Sequence, residues 1–314
     1  MAAGRRDIRS DRQGDRVTIK DFIDQEYRPH VESTLAASTS DGYRKIWKGY
    51  AHYFAGGELT LRVFEAQKIL RQIALDNPHL TKSSLRHIKT FMGGVFSHAM
   101  RMGHVETNPW AGRAVAIPAA KEGEETYAYD PKEVDVMLSN LGGQAYLAVL
   151  LASCTGLRKS ELRGLQISDW DSSSKTLSVQ RAVWRSVVKT TKSRASKAPV
   201  PVIEHLAIEL DVLVTQKKHK CYILETSSGR PLDLDNLARE VIAPALRGSG
   251  AAWHGWHAFR RGLATFLHAQ GIDDKTIQSI LRHENVSTTQ KSYIKTIPAS
   301  VRNAMAAVNF GGAK

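Results

Sequence analysis

Cysteine is scarce. Cys154 and Cys221 are the two in 314 residues; their spacing fits no metal-ligand pair and they cannot build a disulfide framework, so both are expected as buried thiols. Acidic residues are in deficit, 31 Asp and Glu against 44 Lys and Arg, and the formal charge of +13 favours a polyanionic partner without separating DNA from RNA or an anionic membrane. Long apolar runs are missing as well. The strongest, Ala145 to Cys154, is too short to span a bilayer, and Met1 to Arg16 has no apolar core of a secretory signal, so a cytosolic protein with no membrane partner is expected. No group of carboxylates reads as a magnesium site, and His254, His257, His268 and His283 lack a zinc arrangement, so the expectation is no metal and no cofactor.

What is present is organised in blocks, and the length alone favours two domains. Residues 1–17 are polar and without period, and read as a flexible arm, either touching DNA or simply disordered. Residues 18–110 read as a helical domain. Tyr43, Ile46, Trp47, Tyr50 and Phe54 recur on one helix face with Arg44, Lys45 and Lys48 off it, and a second helix after Thr81 turns Leu85, Ile88, Met92, Val95, Phe96 and Ala99 inward and stops before Asn108-Pro109. Residues 111–126 look like a linker. A second domain, 127–298, opens on the capping signal Asp130-Pro131-Lys132-Glu133 and continues with an apolar helix at 145–154. Thr176–Val188 alternates as a strand, Ala198–Val202 reads as its hairpin return, and the loop between them holds Lys189, Lys192, Arg194 and Lys197. Residues 299–314 have the spacing of a tail helix, with Val301, Met305, Val308 and Phe310.

Cleaving a phosphodiester without a metal needs cations on the non-bridging oxygens, a nucleophile, and an acid for the departing oxygen. Arginine suits the first task because it stays charged and can grip a phosphate with two parallel hydrogen bonds. Arg158 with Glu161, and His257 with Arg260, are pairs three residues apart that share a helix face. Thr155 is a candidate N-cap, which would put Arg158 in a first helical turn. Taken singly, each pair also fits a surface ion pair or a satisfied histidine.

Their order along the chain removes that ambiguity. Thr155-Gly156-Leu157-Arg158-Lys159-Ser160-Glu161-Leu162 resembles the first signature box of tyrosine recombinases, and Trp256-His257-Ala258-Phe259-Arg260 resembles the second, with Phe259 where leucine is commoner. Ile280-Leu281-Arg282-His283, then Ser287-Thr288-Thr289, then Tyr293 resemble the closing stretch, although Arg282 replaces a usual glycine and Tyr293 follows His283 by ten residues where many relatives have nine. The lysine loop and Arg101–Pro109 also resemble family segments, so the resemblance spans roughly residues 18 to 300.

The resemblance implies a mainly α fold with a small antiparallel β-sheet: a helical core-binding domain plus a mixed α+β catalytic domain. It implies a site-specific recombinase that forms a 3′-phosphotyrosyl link in integration or excision of a mobile element or phage, acting in the bacterial or phage-host cytosol near the nucleoid. Arg158 and Arg260 would clamp the phosphate, with His257 and His283 completing the pocket. Lys192, with Lys189 as rival, would be the general acid, Tyr293 the nucleophile and Glu161 a support; Tyr222 would be structural. Double-stranded DNA recombination sites and a homo-tetramer on DNA are the implied partners, with accessory DNA-bending proteins as further candidates. The short arm implies action on simple core sites, and the tail helix would dock on a neighbouring protomer or on its own domain. The alternatives are a DNA-binding accessory protein without catalysis and a type IB topoisomerase.

Overall fold

The computed structural model describes residues 17–54, 56–123, 125–190, 199–216 and 221–282. Lys192, Arg194, Lys197, His283, the Ser287–Thr289 stretch, Tyr293, residues 1–16 of the arm and the tail helix lie outside the described residues. The chain divides into two compact units, Met1–Glu125 and Thr126–Lys314.

The first unit is helical. α1 (Ile19–Phe22) runs through a π turn at Ile23–Tyr27 into α2 (Arg28–Thr34), followed by α3 (Ala37–Tyr50), α4 (Val63–Asp76) and α5 (Lys82–Arg101). Thr81 caps α5 as the sequence predicts, its hydroxyl accepting from the Ser84 N–H at 3.2 Å. The helix stops at Arg101, where Gly103 adopts φ 78°, well before Asn108-Pro109. Leu85, Ile88, Met92, Val95, Phe96 and Ala99 are buried together with Phe22, Leu70 and Ile73. On α3 the aromatic face is only half-buried, because one edge opens into a groove of about 550 Å³ between α3 and α5, lined by Tyr43, Lys45, Tyr50 and His87. Arg44, Lys45 and Lys48 are exposed. The stretch after Trp110 has no regular structure but is tied to the helices: Gln67 exchanges two hydrogen bonds with the backbone of Ala116, and Lys89 donates to the carbonyls of Gly112 and Val115.

In the second unit α6 (Pro131–Ser139) carries the expected capping box, Asp130 and Glu133 each accepting the other's N–H at 2.9 Å. α7 (Gly143–Thr155) is apolar all round and buried on nearly every side, so it forms the centre of the unit. α8 (Lys159–Leu162) follows, then five short strands: β1 (Trp170–Asp171), β2 (Thr176–Leu177), β3 (Arg181–Trp184), β4 (Val187–Thr190) and β5 (Val200–Pro201). The strand expectation holds for the return strand, which pairs with Thr176–Leu177, and needs correction in between. β3 and β4 form their own hairpin, with Trp184 opposite Val187, and β5 pairs with β2 in a separate antiparallel sheet ordered β1-β2-β5. A turn of two residues hides inside a period-two pattern, and here Arg185 makes it by adopting φ 52°. Lys189 therefore sits within β4, opposite Ala182 and 6.0 Å from the centre of the Trp184 ring.

Among the described residues α9 (Glu204–Gln216), α10 (Leu234–Leu237), a π turn at Ala238–Ile242, α11 (Ala243–Ala245), α12 (Trp256–Ala269) and α13 (Asp274–Leu281) follow. Cys154 and Cys221 are half-buried, not buried as expected. Cys154 lies beside a groove of about 290 Å³ shared with Val134, Ile203 and Phe266, and burial still pushes its thiol pKa up. Tyr222 pairs through its backbone with Gln166. Among the described residues no helix is long and apolar enough to cross a membrane.

Candidate active site

Gly156 sets the geometry. It ends α7 in the left-handed conformation, φ 59°, and an added Cβ would stand 2.7 Å from Leu281 and 3.2 Å from Leu263. Only glycine satisfies both the backbone and that close approach. The chain then reverses, and Arg158, not Thr155, becomes the N-cap of the next helix; Thr155 is the last residue of α7, its hydroxyl bonded back to the Leu151 carbonyl. The sequence reading misplaced the cap because Thr155 has the side chain of an N-cap, whereas the glycine after it dictates a helix end.

At this cap Glu161 reaches back along the turn. It accepts from the Arg158 N–H at 2.9 Å and from Arg158 Nη1 at 3.0 Å, so the carboxylate holds the arginine by backbone and side chain together. Glu161 is buried while the Arg158 side chain is 38% exposed, which leaves the guanidinium reachable from solvent. A third donor comes from the far end of the unit: Arg282 Nη2 lies 2.9 Å from Glu161 Oε2. Burial alone would raise the Glu161 pKa, but Arg282 and then Arg158 outweigh it and hold the carboxyl below its ordinary range.

α12 supplies the second pair. Phe259 is buried against Tyr129 (ring centroids 4.4 Å apart), Trp253 (5.9 Å) and Trp256 (6.1 Å), so the larger ring in place of leucine closes an aromatic cluster that fixes the rotation of the helix. With Phe259 turned inward, Arg260 is buried beside it; Nη1 donates to the Gly156 carbonyl at 2.6 Å and Nη2 to the Leu281 carbonyl. One guanidinium thus ties the end of α7 to the end of α13. His257, one turn earlier, borders a cleft of about 660 Å³ that Lys159, Arg239 and His254 also line. Gly255 caps α12 without a side-chain bond, so nothing on that residue competes for the first-turn N–H groups that would favour an anion.

His257 keeps an exposed edge, but partial burial, and then the charges of Arg261, Arg260 and Arg158, push its pKa down to about 4. The imidazole is therefore neutral at pH 7, and the three arginines are close enough to act on it. An anion bound among them should raise that pKa. We expect the His257 ring resonances of the free protein to titrate well below pH 5 and to move upward in pH when DNA is bound; a free midpoint near the ordinary value of about 6.5 would contradict this arrangement.

Arg158, Glu161, His257 and Arg260 are thus brought together, and Lys192, His283 and Tyr293 lie outside the described residues. Arg282, which departs from the family pattern, belongs to this cluster. The available signal was its position: a left-handed residue after a helix, φ 56°, is costly for arginine unless its side chain gains something in return. His254 stacks on Tyr127, with ring centroids 3.6 Å apart. Among the described residues, no group of three His, Cys, Asp or Glu could hold a metal ion.

The model of the phage integrase family matches residues 129–298, more than half of the chain and all of the cluster described. The chain belongs to the phage integrase family, the tyrosine recombinases. Relatives within this family of site-specific recombinase enzymes include "Tyrosine recombinase XerC-like" of Caldanaerobacter subterraneus subsp. tengcongensis, 26% identical over 73% of this chain and 66% of that relative. "Tyrosine recombinase XerC" of Treponema denticola is 30% identical over 74% of this chain and 81% of its own length. Among solved structures the fold is shared with the Tn1549 transposon integrase in complex with transposon right end DNA (TM-score 0.76, 17% identity, 92% of this chain and 98% of that one). It is shared also with a lambda integrase dimer bound to a core site (TM-score 0.66, 20% identity, 91% and 82%).

Proposed function

We propose that this protein cleaves and rejoins double-stranded DNA at specific sites through a 3′-phosphotyrosyl link at Tyr293. The observation that supports it is that Arg158 and Arg260 lie close enough to His257 for their charges to act on its ring, with Arg260 bonded to the carbonyl of Leu281, two residues before His283. In this reading Arg158 and Arg260 neutralise the non-bridging oxygens of the scissile phosphate, and His257 and His283 hydrogen bond to them. The Tyr293 oxygen attacks phosphorus, its proton passes to neutral His257, and the bond from phosphorus to the 5′ oxygen breaks as Lys192 gives that oxygen a proton. Attack by a free 5′ hydroxyl of a second duplex reverses the steps, so strand joining needs no ATP. Glu161 holds Arg158 and transfers no proton.

Strand exchange between two duplexes calls for several protomers on DNA, and a lambda integrase tetramer bound to a Holliday junction shares this fold. We infer a homo-tetramer on recombination sites, serving integration or excision of a mobile element, in the cytoplasm, with DNA-bending proteins as candidate accessories. The division of labour is a helical domain over residues 18–110, whose exposed Arg44, Lys45 and Lys48 suit phosphate contact, a connecting stretch 111–126, and a catalytic domain 127–298.

The test is covalent trapping. Purified protein is mixed with nicked duplexes from DNA flanking its own gene, resolved on a denaturing gel, and the adduct is mapped by peptide mass. A phosphotyrosyl link at Tyr293 is expected. Tight binding without an adduct would favour a non-catalytic DNA-binding protein, and relaxation of any supercoiled plasmid without site preference would favour a topoisomerase.

A further inference from the structure

We propose that Arg282 is a positioning residue: paired to Glu161, it frees the charge of Arg158 for the DNA phosphate and locks the end of α13 to the N-cap of α8. The inference rests on the recombinase reading for its catalytic consequence, and on geometry alone for the pairing.

A buried carboxylate with one arginine partner forms a closed ion pair, and a phosphate must then compete with the carboxylate for that arginine. Glu161 is in contact with Arg158 through both of its oxygens, so on its own it would quench the group it orients. Arg282 changes the balance. Its Nη2 shares Oε2 with the Arg158 N–H at 2.9 Å, and it is itself buried, so its charge acts on Glu161 without screening by solvent. Two guanidiniums, Arg158 and Arg282, then face one carboxylate, and the cluster keeps a positive surplus even with Glu161 ionised.

The same residue fixes position. Arg282 follows α13 with φ 56° and Leu281 before it accepts from Arg260, so two adjacent residues tie α13 to both arginine-bearing helices. Glycine, the usual family residue here, would adopt the backbone more easily and supply no charge. An arginine in that conformation persists where its side chain is anchored.

Arg282→Gly is a clean probe because the backbone conformation suits glycine. Without DNA, it should lower the unfolding equilibrium stability constant about 10- to 100-fold in the wild-type background and less than about 3-fold in a Glu161→Gln background. With a saturating nicked duplex, the rate of adduct formation should fall about 30-fold while affinity for the uncleaved duplex changes less than about 3-fold, and Arg282→Lys should recover most of the lost rate. Absence of coupling in the unfolding experiment would overturn the pairing. Coupling with an unchanged adduct rate, or a lysine variant no better than glycine, would overturn the positioning role. Coupling together with a wild-type chain that forms no adduct on any duplex would leave the pairing supported and sink the recombinase reading instead.

Discussion

Arg260→Lys is expected to slow adduct formation by about 10²- to 10³-fold, and Arg260→Ala by about 10³-fold or more, in single-turnover assays on a nicked duplex. The lysine variant is the informative one because it keeps a positive charge. Arg260 donates from one terminal nitrogen to the Gly156 carbonyl at 2.6 Å and from the other to the Leu281 carbonyl, so the plane of the fork is fixed by the ends of two helices. A lysine ammonium has no plane to fix and cannot reproduce the two-point hold of the planar fork on both carbonyls. Two buried carbonyls would also lose charged donors, so a stability loss of about 1–3 kcal/mol should accompany the kinetic effect. Urea unfolding separates the two: at a denaturant-free pH 7 the lysine variant remains folded, and the rate loss then belongs to the site. An Arg260→Lys rate within a few-fold of wild type would reduce Arg260 to a structural tie.

Much of this pocket could be read from the sequence, for a physical reason. Pairs three residues apart on a helix share a face, which offered Arg158 with Glu161 and His257 with Arg260 as candidates, and the family resemblance singled them out before any fold was known. What the spacing could not give was the partner across the fold. Arg282 lies 121 positions from Glu161, and no local period links them. Nor does the pattern say which of two neighbouring residues caps a helix. Thr155 has a capping hydroxyl, but the left-handed Gly156 forces the helix to end there and moves the cap to Arg158.

The fold shows the same division. Helices with strong amphipathic faces or with both cap signals, such as α5 behind Thr81 and α6 behind Asp130, stand where the sequence predicts them. The strands do not. A two-residue turn leaves inward and outward positions in step, so β3 and β4 look like one strand until Arg185 is seen to turn the chain. The half-buried aromatic face of α3 was also invisible to periodicity, which reports which residues share a side but not whether a neighbour fully covers it.

Glu161→Ala should destabilise the protein by about 3–5 kcal/mol at pH 7, more than any surface substitution, because it strands a buried guanidinium. Arg282 is buried as deeply as Arg260, and Glu161 is its ion-pair partner at 2.9 Å. Glu161→Gln keeps an acceptor for the Arg158 N–H and should cost less. The pH dependence gives an independent check. The folded-state pKa of Glu161 is depressed, so its ion pairs contribute stability in full above the unfolded value of about 4.3 and lose it as the pH falls through the lower folded value. Wild-type stability, measured by urea unfolding from pH 7 down to pH 3, should therefore fall more steeply below about pH 4.3 than that of Glu161→Gln, in which the titrating group is gone. Parallel acid limbs for the two proteins would mean that the Glu161 pKa is the same folded and unfolded, so that its ion pairs with Arg158 and Arg282 add no stability to the fold.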